Sequence, residues 1–167
     1  MIHLICGPIG AGKTTLAHDI AKEYGAIRFS EDEWLSELFV PNAPENLMEE
    51  SIQVIGEWAS GKYQLCRVQI WQVCEQLLSR GVSIVLDGAA ANKEQRDLIR
   101  KKAKKHNVDF QLHFISADKE VRRERVLDRN SKKGKTYSIE VNQEMFDHME
   151  VFFEPPKHKE LKGALRY

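Results

Sequence analysis

Cysteine, long apolar runs and net charge are all scarce in this sequence, and each scarcity excludes a class of protein. The three cysteines, Cys6, Cys66 and Cys74, are an odd number without paired C-x-x-C spacing, so we expect neither a disulfide framework nor a zinc site. No apolar stretch approaches the ~20 residues that a membrane span needs. Twenty-five basic and 25 acidic residues cancel, so the chain lacks the overall basic field typical of nucleic-acid binding.

Spacers rich in Gly, Ser or Pro are also missing, and 167 residues suffice for one buried core but are too few for two ordinary domains. We therefore predict a single domain over residues 1–167. One Met precedes an apolar strand that leads straight into a glycine-rich loop, which argues against a removable signal peptide. The expectation is a soluble, cytoplasmic protein, not associated with membranes. The sequence gives no indication of its oligomeric state.

The glycine-rich loop is the most informative feature present. Residues 7–14 have the sequence GPIGAGKT, which matches the pattern G-x-x-x-x-G-K-[ST] in full. It follows the apolar run at residues 2–6 and precedes a helix-like segment, which is the context that a phosphate-binding P-loop requires. Glycines suit this loop because its backbone N–H groups must turn inward around phosphate oxygens.

This motif predicts a site for Mg²⁺ and a nucleoside triphosphate. Lys13 can reach the β- and γ-phosphates, and the Thr14 hydroxyl can ligate Mg²⁺. The helix that begins near Lys13 adds the partial positive charge of its N-terminus. The predicted nucleotide-binding residues within the loop and just beyond it are Gly7, Pro8, Ile9, Gly10, Ala11, Gly12, Lys13, Thr14 and Thr15.

Further strands and helices alternate along the chain. Short apolar runs at residues 26–29, 82–87 and 110–116 predict strands, and helical patterns separate them, which indicates a parallel α/β sheet. The run at 82–87 ends in Asp87, as a Walker B strand does, so we expect Asp87 to lie near the P-loop and to hold a magnesium-bound water or Thr14. The alternative is that Asp87 only caps the next helix.

A cluster of three acids follows the second predicted strand. Ser30 and Glu33 have the spacing of a capping box, which places Glu31, Asp32 and Glu33 in the first turn of a helix. We expect this strand to neighbour the P-loop strand, so that Asp32 faces the γ-phosphate as the leading candidate for a catalytic base. Glu31 and Glu33 are its rivals. The alternative is that all three acids merely complement the helix N-terminus.

The long helical insert at about residues 41–80 is the predicted substrate cap. Its pattern suggests a break near Ser60 and Gly61. Aromatic and cationic side chains in and beside it could form a pocket for an organic substrate, and among them we single out Trp34 and Arg67. Packing in the core is the commoner role for such residues.

An arginine-rich helix is predicted from Asp118 to Arg129, followed by a basic polar loop from Asn130. Arg125 and Arg129 are four residues apart and share a face, so they could bring positive charge to the nucleotide as part of a lid at about residues 125–140. Arg125 is a predicted nucleotide contact and Arg129 a predicted catalytic residue. The competing view is a solvated helix face that is paired with its own glutamates.

Several segments together resemble a known group of enzymes. These segments are Gly7–Thr15, Phe29–Glu33, Val85–Gly88, Arg125–Gly134 and Met145–Pro156, the last of which contains the end of a helix predicted at about residues 139–153. They resemble the P-loop kinases grouped with the polynucleotide kinase domain, zeta-type toxins, chloramphenicol phosphotransferase and uncharacterised bacterial kinases.

The resemblance implies a nucleoside-kinase-like sheet of about five parallel strands, Mg-ATP as donor, Asp32 as base and lid arginines near Arg129. Two departures weaken a polynucleotide substrate. Leu35 stands where polynucleotide kinases place a phosphate-gripping arginine, and Lys133 stands where they place a catalytic lid arginine.

The leading hypothesis is therefore an ATP-dependent kinase acting on a hydroxyl of a small organic molecule. A 5′-hydroxyl polynucleotide kinase is a disfavoured alternative. An ATP-binding or ATP-hydrolysing switch without a phosphoacceptor is another. ATP is expected over GTP from the resemblance, because no N-K-x-D-type guanine motif is visible. The sequence does not name the acceptor.

Overall fold

The computed structural model describes residues 1–134, 137 and 140–167, and within them places five β-strands and six α-helices. In chain order these are β1 (Ile2–Cys6), α1 (Lys13–Tyr24), β2 (Ile27–Ser30), α2 (Glu31–Leu38), α3 (Ile52–Ser79), β3 (Ile84–Asp87), α4 (Lys93–Lys105), β4 (Phe110–Phe114), α5 (Lys119–Lys132), α6 (Gln143–Phe152) and β5 (Leu165–Arg166). Short 3₁₀ helices lie at Val40–Asn42, Leu47–Glu49 and His158–Glu160.

All five strands are parallel and form one sheet in the order β2-β3-β1-β4-β5. This confirms the predicted α/β class and a sheet of about five parallel strands. Every residue of β1 is buried, as expected for a strand with a neighbour on each side and helices on both faces. β3 lies between β2 and β1. The prediction that the strand before Asp32 neighbours the P-loop strand is therefore wrong, because order along the chain does not determine order across a sheet.

Helices cover both faces of the sheet, and alternate strand residues face opposite ways. On one face Ile5 and Val85 pack with Ala17 and Ile20 of α1. On the other face the core is larger and joins strand residues to α3 and α4, through side chains that include Leu4, Leu86, Cys66, Cys74, Ile70 and Ile99. A third cluster, Ile9, Val126, Val141 and Phe146, holds α5 and α6 against the P-loop.

Helix α3 is 28 residues long and runs unbroken through Gly61, so the predicted break near Ser60 and Gly61 is wrong. A glycine inside a helix costs about 1 kcal/mol relative to alanine. Packing of Cys66, Ile70, Cys74 and Leu78 against the sheet outweighs that cost.

The arginine helix also extends further than predicted, because Asn130 to Lys132 are its last residues and not a polar loop. The Asn130 side chain explains the extension. Its amide donates to the Val141 carbonyl over 2.8 Å and its oxygen accepts from the Val141 N–H over 3.2 Å. The predicted last helix begins at Gln143. Its predicted start, Ile139, and Lys135 of the predicted loop lie outside the described residues.

The C-terminal segment is held to the body of the protein by Arg96, which is fully buried in α4. Its guanidinium donates to both oxygens of Glu160, at 2.8 and 3.1 Å, and to the carbonyls of Ala90 and Glu154. The contacts with Glu154 and Glu160 span 58 and 64 positions of the sequence, so α4 fixes the path that leads to β5. Within the described ranges, no helix combines the length and apolarity needed to cross a bilayer.

Candidate active site

The P-loop connects the end of β1 to α1, and its glycines occupy positions that a side chain would block. A Cβ at Gly7 would lie 2.3 Å from the Ile115 carbonyl oxygen, and one at Gly10 would lie 2.4 Å from the Arg122 carbonyl oxygen. Gly10 and Gly12 also have positive φ angles of 74° and 102°. The loop is thus pressed against its surroundings in a conformation that favours glycine.

Lys13 and Thr14 begin helix α1 at the end of this loop. Lys13 Nζ donates to the Pro8 carbonyl over 3.0 Å, so the side chain folds back over the loop. Burial lowers the pKa of Lys13, while the charges of Asp32 and Asp87 oppose that change. Three of the predicted functional residues therefore come within electrostatic reach of one another.

Asp87 ends β3 and lies near enough to the Thr14 hydroxyl for Thr14 to oppose the rise in its pKa. Arg28 of β2 also pairs with it, Nη1 lying 2.9 Å from Asp87 Oδ2. Burial is the main cause that raises the pKa of Asp87, followed by the charge of Asp32, while Arg28 and Lys13 act in the opposite direction. The predicted proximity of Asp87 to the P-loop is observed.

The three acids at the start of α2 have different partners. Ser30 caps the helix and accepts from the Glu33 N–H over 3.3 Å, which is the Ser30 half of the predicted capping box. Glu33 turns its carboxylate to Arg28. Glu31 is buried and receives the Arg67 guanidinium on both oxygens, each 3.0 Å from Nε.

Asp32 differs from both glutamates because no described arginine or lysine forms an ion pair with it. Its Oδ1 accepts a 2.6 Å hydrogen bond from the hydroxyl of Tyr63 on α3. Burial and the adjacent Asp32 charge raise the pKa of Tyr63 well above its usual value, so the phenol keeps its proton and remains a donor.

One cavity of about 780 Å³ joins these groups. Its walls include Gly10, Gly12, Lys13, Thr14 and Thr15 of the P-loop region, together with Ile9, Asp32, Tyr63, Arg67, Arg125 and Arg129. The volume lies within the range of ligand pockets. The cavity therefore brings together residues from the P-loop, α2, α3 and α5 that are far apart in the sequence.

Arg125 and Arg129 reach the cavity from α5, and their shared face is the one predicted. Arg125 Nη1 lies 3.4 Å from the Ala11 carbonyl oxygen of the P-loop. Arg129 lies near enough to Lys13 to lower its pKa, and the buried Arg129 Nε has no hydrogen-bond partner within the described residues. Lys133 caps α5 beside the ring of Tyr137, 5.6 Å away.

The two residues singled out for substrate contact have different locations. Arg67 lines the cavity but its guanidinium is engaged by Glu31. Trp34 packs edge-on against Phe29, with ring centroids 6.4 Å apart, at the border of the sheet-side core. The structure brings Arg67 to the site and turns Trp34 toward the core.

Arg28 and Arg122 are two site-supporting residues that sequence reasoning missed. Arg122 donates to the Ile9 carbonyl over 3.0 Å and to Glu150 of α6 over 2.8 Å, so it ties the P-loop to α5 and α6. Arg28 holds Asp87. The sequence does contain a signal for Arg28. Side chains alternate between the two faces of a strand, so Arg28 lies on the same face of β2 as Ser30. No comparable signal marks Arg122 among its neighbouring arginines.

The residues present fit Mg²⁺ and a nucleoside triphosphate. Thr14 and Asp87 supply the oxygen donors that Mg²⁺ prefers, and the unpartnered Arg129 Nε offers a donor for phosphate. No cluster of three or more His, Cys, Asp or Glu among the described residues could hold a metal by itself. Magnesium at this position would therefore complete its coordination with phosphate oxygens and water.

This fold and loop define a nucleotide-binding P-loop protein with a kinase-like α/β architecture. Residues 2–156 match the AAA domain family AAA_33, and the chain belongs to that family. No curated protein sequence matches it significantly.

Solved structures show the same fold at low sequence identity. A "putative kinase" from Chloroflexus aurantiacus J-10-fl is 16% identical, with a TM-score of 0.72 over 99% of this chain and 83% of that one. Kti12 from Chaetomium thermophilum, solved in complex with ADP-AlF3, is 13% identical, with a TM-score of 0.68 over 100% and 88% of the two chains. A gluconokinase from Sinorhizobium meliloti 1021 is 16% identical, with a TM-score of 0.58 over 98% and 79%.

Proposed function

We propose that this protein is an ATP-dependent kinase that transfers the γ-phosphate of Mg-ATP to a hydroxyl of a small organic molecule. The observation that carries the proposal is that one cavity contains the P-loop, the carboxylate of Asp32 and the guanidinium of Arg129. Phosphoryl transfer needs these three things, namely a phosphate cradle, a group that orients the attacking hydroxyl, and charge that stabilises the transition state.

The P-loop and Lys13 bind the triphosphate in this proposal. The inward-turned N–H groups hold the β- and γ-phosphate oxygens, and the N-terminus of α1 adds favourable partial charge. Thr14 and Asp87 would hold Mg²⁺, directly or through water, where the ion would supply charge to neutralise the phosphates. The fold of the Kti12 complex with ADP-AlF3 supports a nucleotide at this position.

Asp32 is the proposed base, because its two rivals are neutralised by arginines. Glu31 receives Arg67 and Glu33 receives Arg28. The oxygens that the guanidinium engages are not available to an acceptor hydroxyl, and the cavity is lined by Asp32 but by neither glutamate. Tyr63 occupies one oxygen of Asp32 and leaves the other for the acceptor hydroxyl.

Arg125 and Arg129 are proposed to contact the nucleotide, with Arg129 acting on the transferring phosphoryl group. Arginine presents several N–H donors in a planar fork that matches phosphate oxygens. We assign the lid to about residues 125–140, the cap to about residues 41–80, and one kinase domain to residues 1–167. Residues 135, 136, 138 and 139 of this lid lie outside the described residues.

A small-molecule acceptor is supported by the size of the cavity and by the fold of the gluconokinase and of a sugar kinase from Janibacter sp. HTCC2649. The formal net charge of zero weighs against a nucleic-acid acceptor.

The test is ATP consumption by purified protein with pools of acceptors, comprising nucleosides, sugars, hydroxylated antibiotics and oligonucleotides. We expect at least one small-molecule pool to raise ATP turnover in the wild type but not in Asp32→Asn, which keeps the size of the side chain and removes its basicity. Binding of Mg-ATP should be equal in the two proteins.

Turnover that no pool raises, and that Asp32→Asn leaves unchanged, would point instead to an ATP-hydrolysing switch. Labelling of oligonucleotide ends alone would favour a polynucleotide kinase. Unchanged Mg-ATP binding in Lys13→Ala would contradict the assignment of the site itself.

A further inference from the structure

One wall of the cavity is mostly apolar. It is formed by α2, by the segment between α2 and α3, and by the first turns of α3. The side chains that carry the argument are Leu35, Leu47, Ile52, Ile55, Trp58 and Ala59. These aliphatic and indole side chains favour an apolar ligand, which gains free energy when its surface leaves water. A polar group placed against them would lose its hydration without gaining a hydrogen bond.

Helix α3 carries this wall directly to the proposed base. Ile52, Ile55, Ala59 and Tyr63 line the cavity at spacings of three and four residues, which places them on one face of the helix. The stripe is apolar through Ala59 and ends in the Tyr63 hydroxyl, which is bonded to Asp32. A ligand along this stripe would meet hydrocarbon over most of its length and polar groups only where phosphoryl transfer occurs.

The lining of the cavity includes the acids Asp32, Glu45 and Glu140, and its cations are distributed unevenly. Lys13, Arg125 and Arg129 lie at the nucleotide end, close to the P-loop. The remaining lining arginine is Arg67, whose Nη2 lies 2.9 Å from Glu31 Oε2. Among the described residues, the apolar wall therefore offers no unpaired cation for a carboxylate or phosphate on the acceptor.

We propose that the phosphoacceptor is an uncharged alcohol whose hydroxyl is carried on an apolar ring system. The inference rests on the proposed kinase function and specifies its substrate class. The hydroxyl proton passes to Asp32, the hydroxyl oxygen bonds to the γ-phosphorus, and the bond from that phosphorus to the β–γ bridging oxygen breaks to release ADP. The apolar ring packs against the face of α3 that runs from Ile52 to Ala59.

Two glycines of α3 provide a matched test. A Cβ added at Gly56 or at Gly61 meets no other atom within 4 Å, and both glycines are inside the same helix. Gly56 lines the cavity, whereas Gly61 is exposed to solvent. Gly56→Leu should therefore fill the part of the cavity that binds the acceptor. Gly61→Leu raises the helix propensity of α3 by the same amount but lies outside the cavity, so it is the control.

The measurement is ligand-observed NMR binding in the presence of Mg²⁺ and a non-hydrolysable ATP analogue. The probes are benzyl alcohol, cyclohexylmethanol and 2-naphthalenemethanol, compared with glucose, gluconate and adenosine. We expect the three apolar alcohols to bind the wild type and Gly61→Leu, and to bind Gly56→Leu at least about tenfold more weakly. In an apolar pocket, one extra or missing methylene already changes the preference between two ligands by about 10- to 200-fold.

Ile55→Ala serves as a second variant, in case Gly56→Leu fails to bind the ATP analogue normally. It removes contact area from the same wall and should also weaken binding of 2-naphthalenemethanol. Preference for glucose, gluconate or adenosine over the apolar alcohols would overturn the inference. So would equal affinity for the apolar alcohols in wild type, Gly56→Leu and Ile55→Ala.

Failure of the inference and failure of the kinase assignment give different results. Asp32-dependent ATP turnover with gluconate, without binding of the apolar alcohols, would leave the kinase standing and reject the apolar acceptor. Binding of the apolar alcohols that is sensitive to Gly56→Leu, without transfer of phosphate to any of them or to any pooled acceptor, would support the apolar site and count against the kinase.

Discussion

The hydroxyl of Tyr63 donates to Asp32 Oδ1 over 2.6 Å, although the two residues are 31 positions apart in the sequence. Tyr63 extends from α3 and Asp32 lies in the first turn of α2, so this bond connects the predicted cap to the proposed base. Tyr63 keeps its proton through the neutral range because its pKa is raised. The hydrogen bond thus orients the Asp32 carboxylate without transferring a proton to it.

Replacing Tyr63 by phenylalanine should lower kcat about tenfold, because a hydrogen bond to a charged group is worth ~1.5 kcal/mol or more, and about 1.4 kcal/mol corresponds to tenfold in rate. Steady-state kinetics with an identified acceptor measure this, and equilibrium binding of Mg-ATP should not change. Tyr24→Phe, an exposed tyrosine on α1, is the control. A kcat equal to that of the wild type in Tyr63→Phe would show that Asp32 does not depend on this bond.

Arg129→Gln should lower kcat by about 1,000-fold or more while leaving Mg-ATP affinity within a few fold, because arginine charge at a phosphoryl transition state is worth ~10³ to 10⁵ in rate. The expectation follows from its position beside Lys13 and its unpartnered Nε. Single-turnover kinetics separate the chemical step from binding. Lys119→Gln, at the exposed start of the same helix, controls for loss of charge. A loss confined to ATP affinity would make Arg129 a binding residue only.

Arg28→Met should move the acid side of the pH–rate profile to higher pH. The Arg28 charge counteracts the raised pKa of Asp87, so its removal raises that pKa further and protonates Asp87 at a higher pH. A protonated Asp87 supports Mg²⁺ poorly, so the Mg²⁺ concentration for half-maximal rate should rise as pH falls. Arg80→Met, whose partner is a helix carbonyl, is the control. Superimposable profiles of Arg28→Met and wild type would remove Arg28 from the support of the site.

Arg96→Met should lower the free energy of unfolding by about 3 kcal/mol, because the nearly buried Glu160 loses its bidentate partner and is left with Arg100, 3.5 Å away. Urea denaturation followed by circular dichroism measures the change. Lys132→Met breaks an exposed pair with Asp128 and should cost less than about 1 kcal/mol. Equal costs for the two variants would show that the bidentate Arg96 pair does not anchor the C-terminal segment.

A buried histidine pair should make stability fall with acid. His3 Nδ1 lies 3.0 Å from His113 Nε2, and His113 Nδ1 lies 3.0 Å from the Tyr167 hydroxyl. Burial lowers the pKa of both rings, that of His113 to about 4. The unfolded chain therefore binds protons from about pH 6.5 downward while the native state resists them, so this stability is complete above pH 6.5 and is lost as pH falls toward 4.

Urea midpoints at pH 7.0, 6.0 and 5.0 test this slope. Replacing His113 by glutamine should make it less steep, because the ring with the pKa of about 4 is gone and only His3 of the pair remains. His18→Gln, on the exposed face of α1, should leave it as in the wild type. A slope that is the same in all three proteins would assign the acid sensitivity to other groups.

Local pattern was sufficient for the P-loop, for the alternation of strands and helices, and for the cap of α2 by Ser30. Each of these depends on residues within a few positions of one another, and so is visible in a single stretch of sequence. The positions of Lys13, Thr14 and Asp87 followed from the same logic, since P-loop and Walker B strands both end at the carboxyl edge of a parallel sheet.

Interactions between distant residues decided the rest. The insertion of β3 between β2 and β1 and the uninterrupted α3 result from packing between segments far apart in the chain, and the extension of α5 from bonds between Asn130 and Val141, 11 positions further on. The same holds for the choice among three adjacent acids. Sequence placed Glu31, Asp32 and Glu33 together, and only the folded structure directs Arg67 and Arg28 to the glutamates and leaves Asp32 with the neutral hydroxyl of Tyr63.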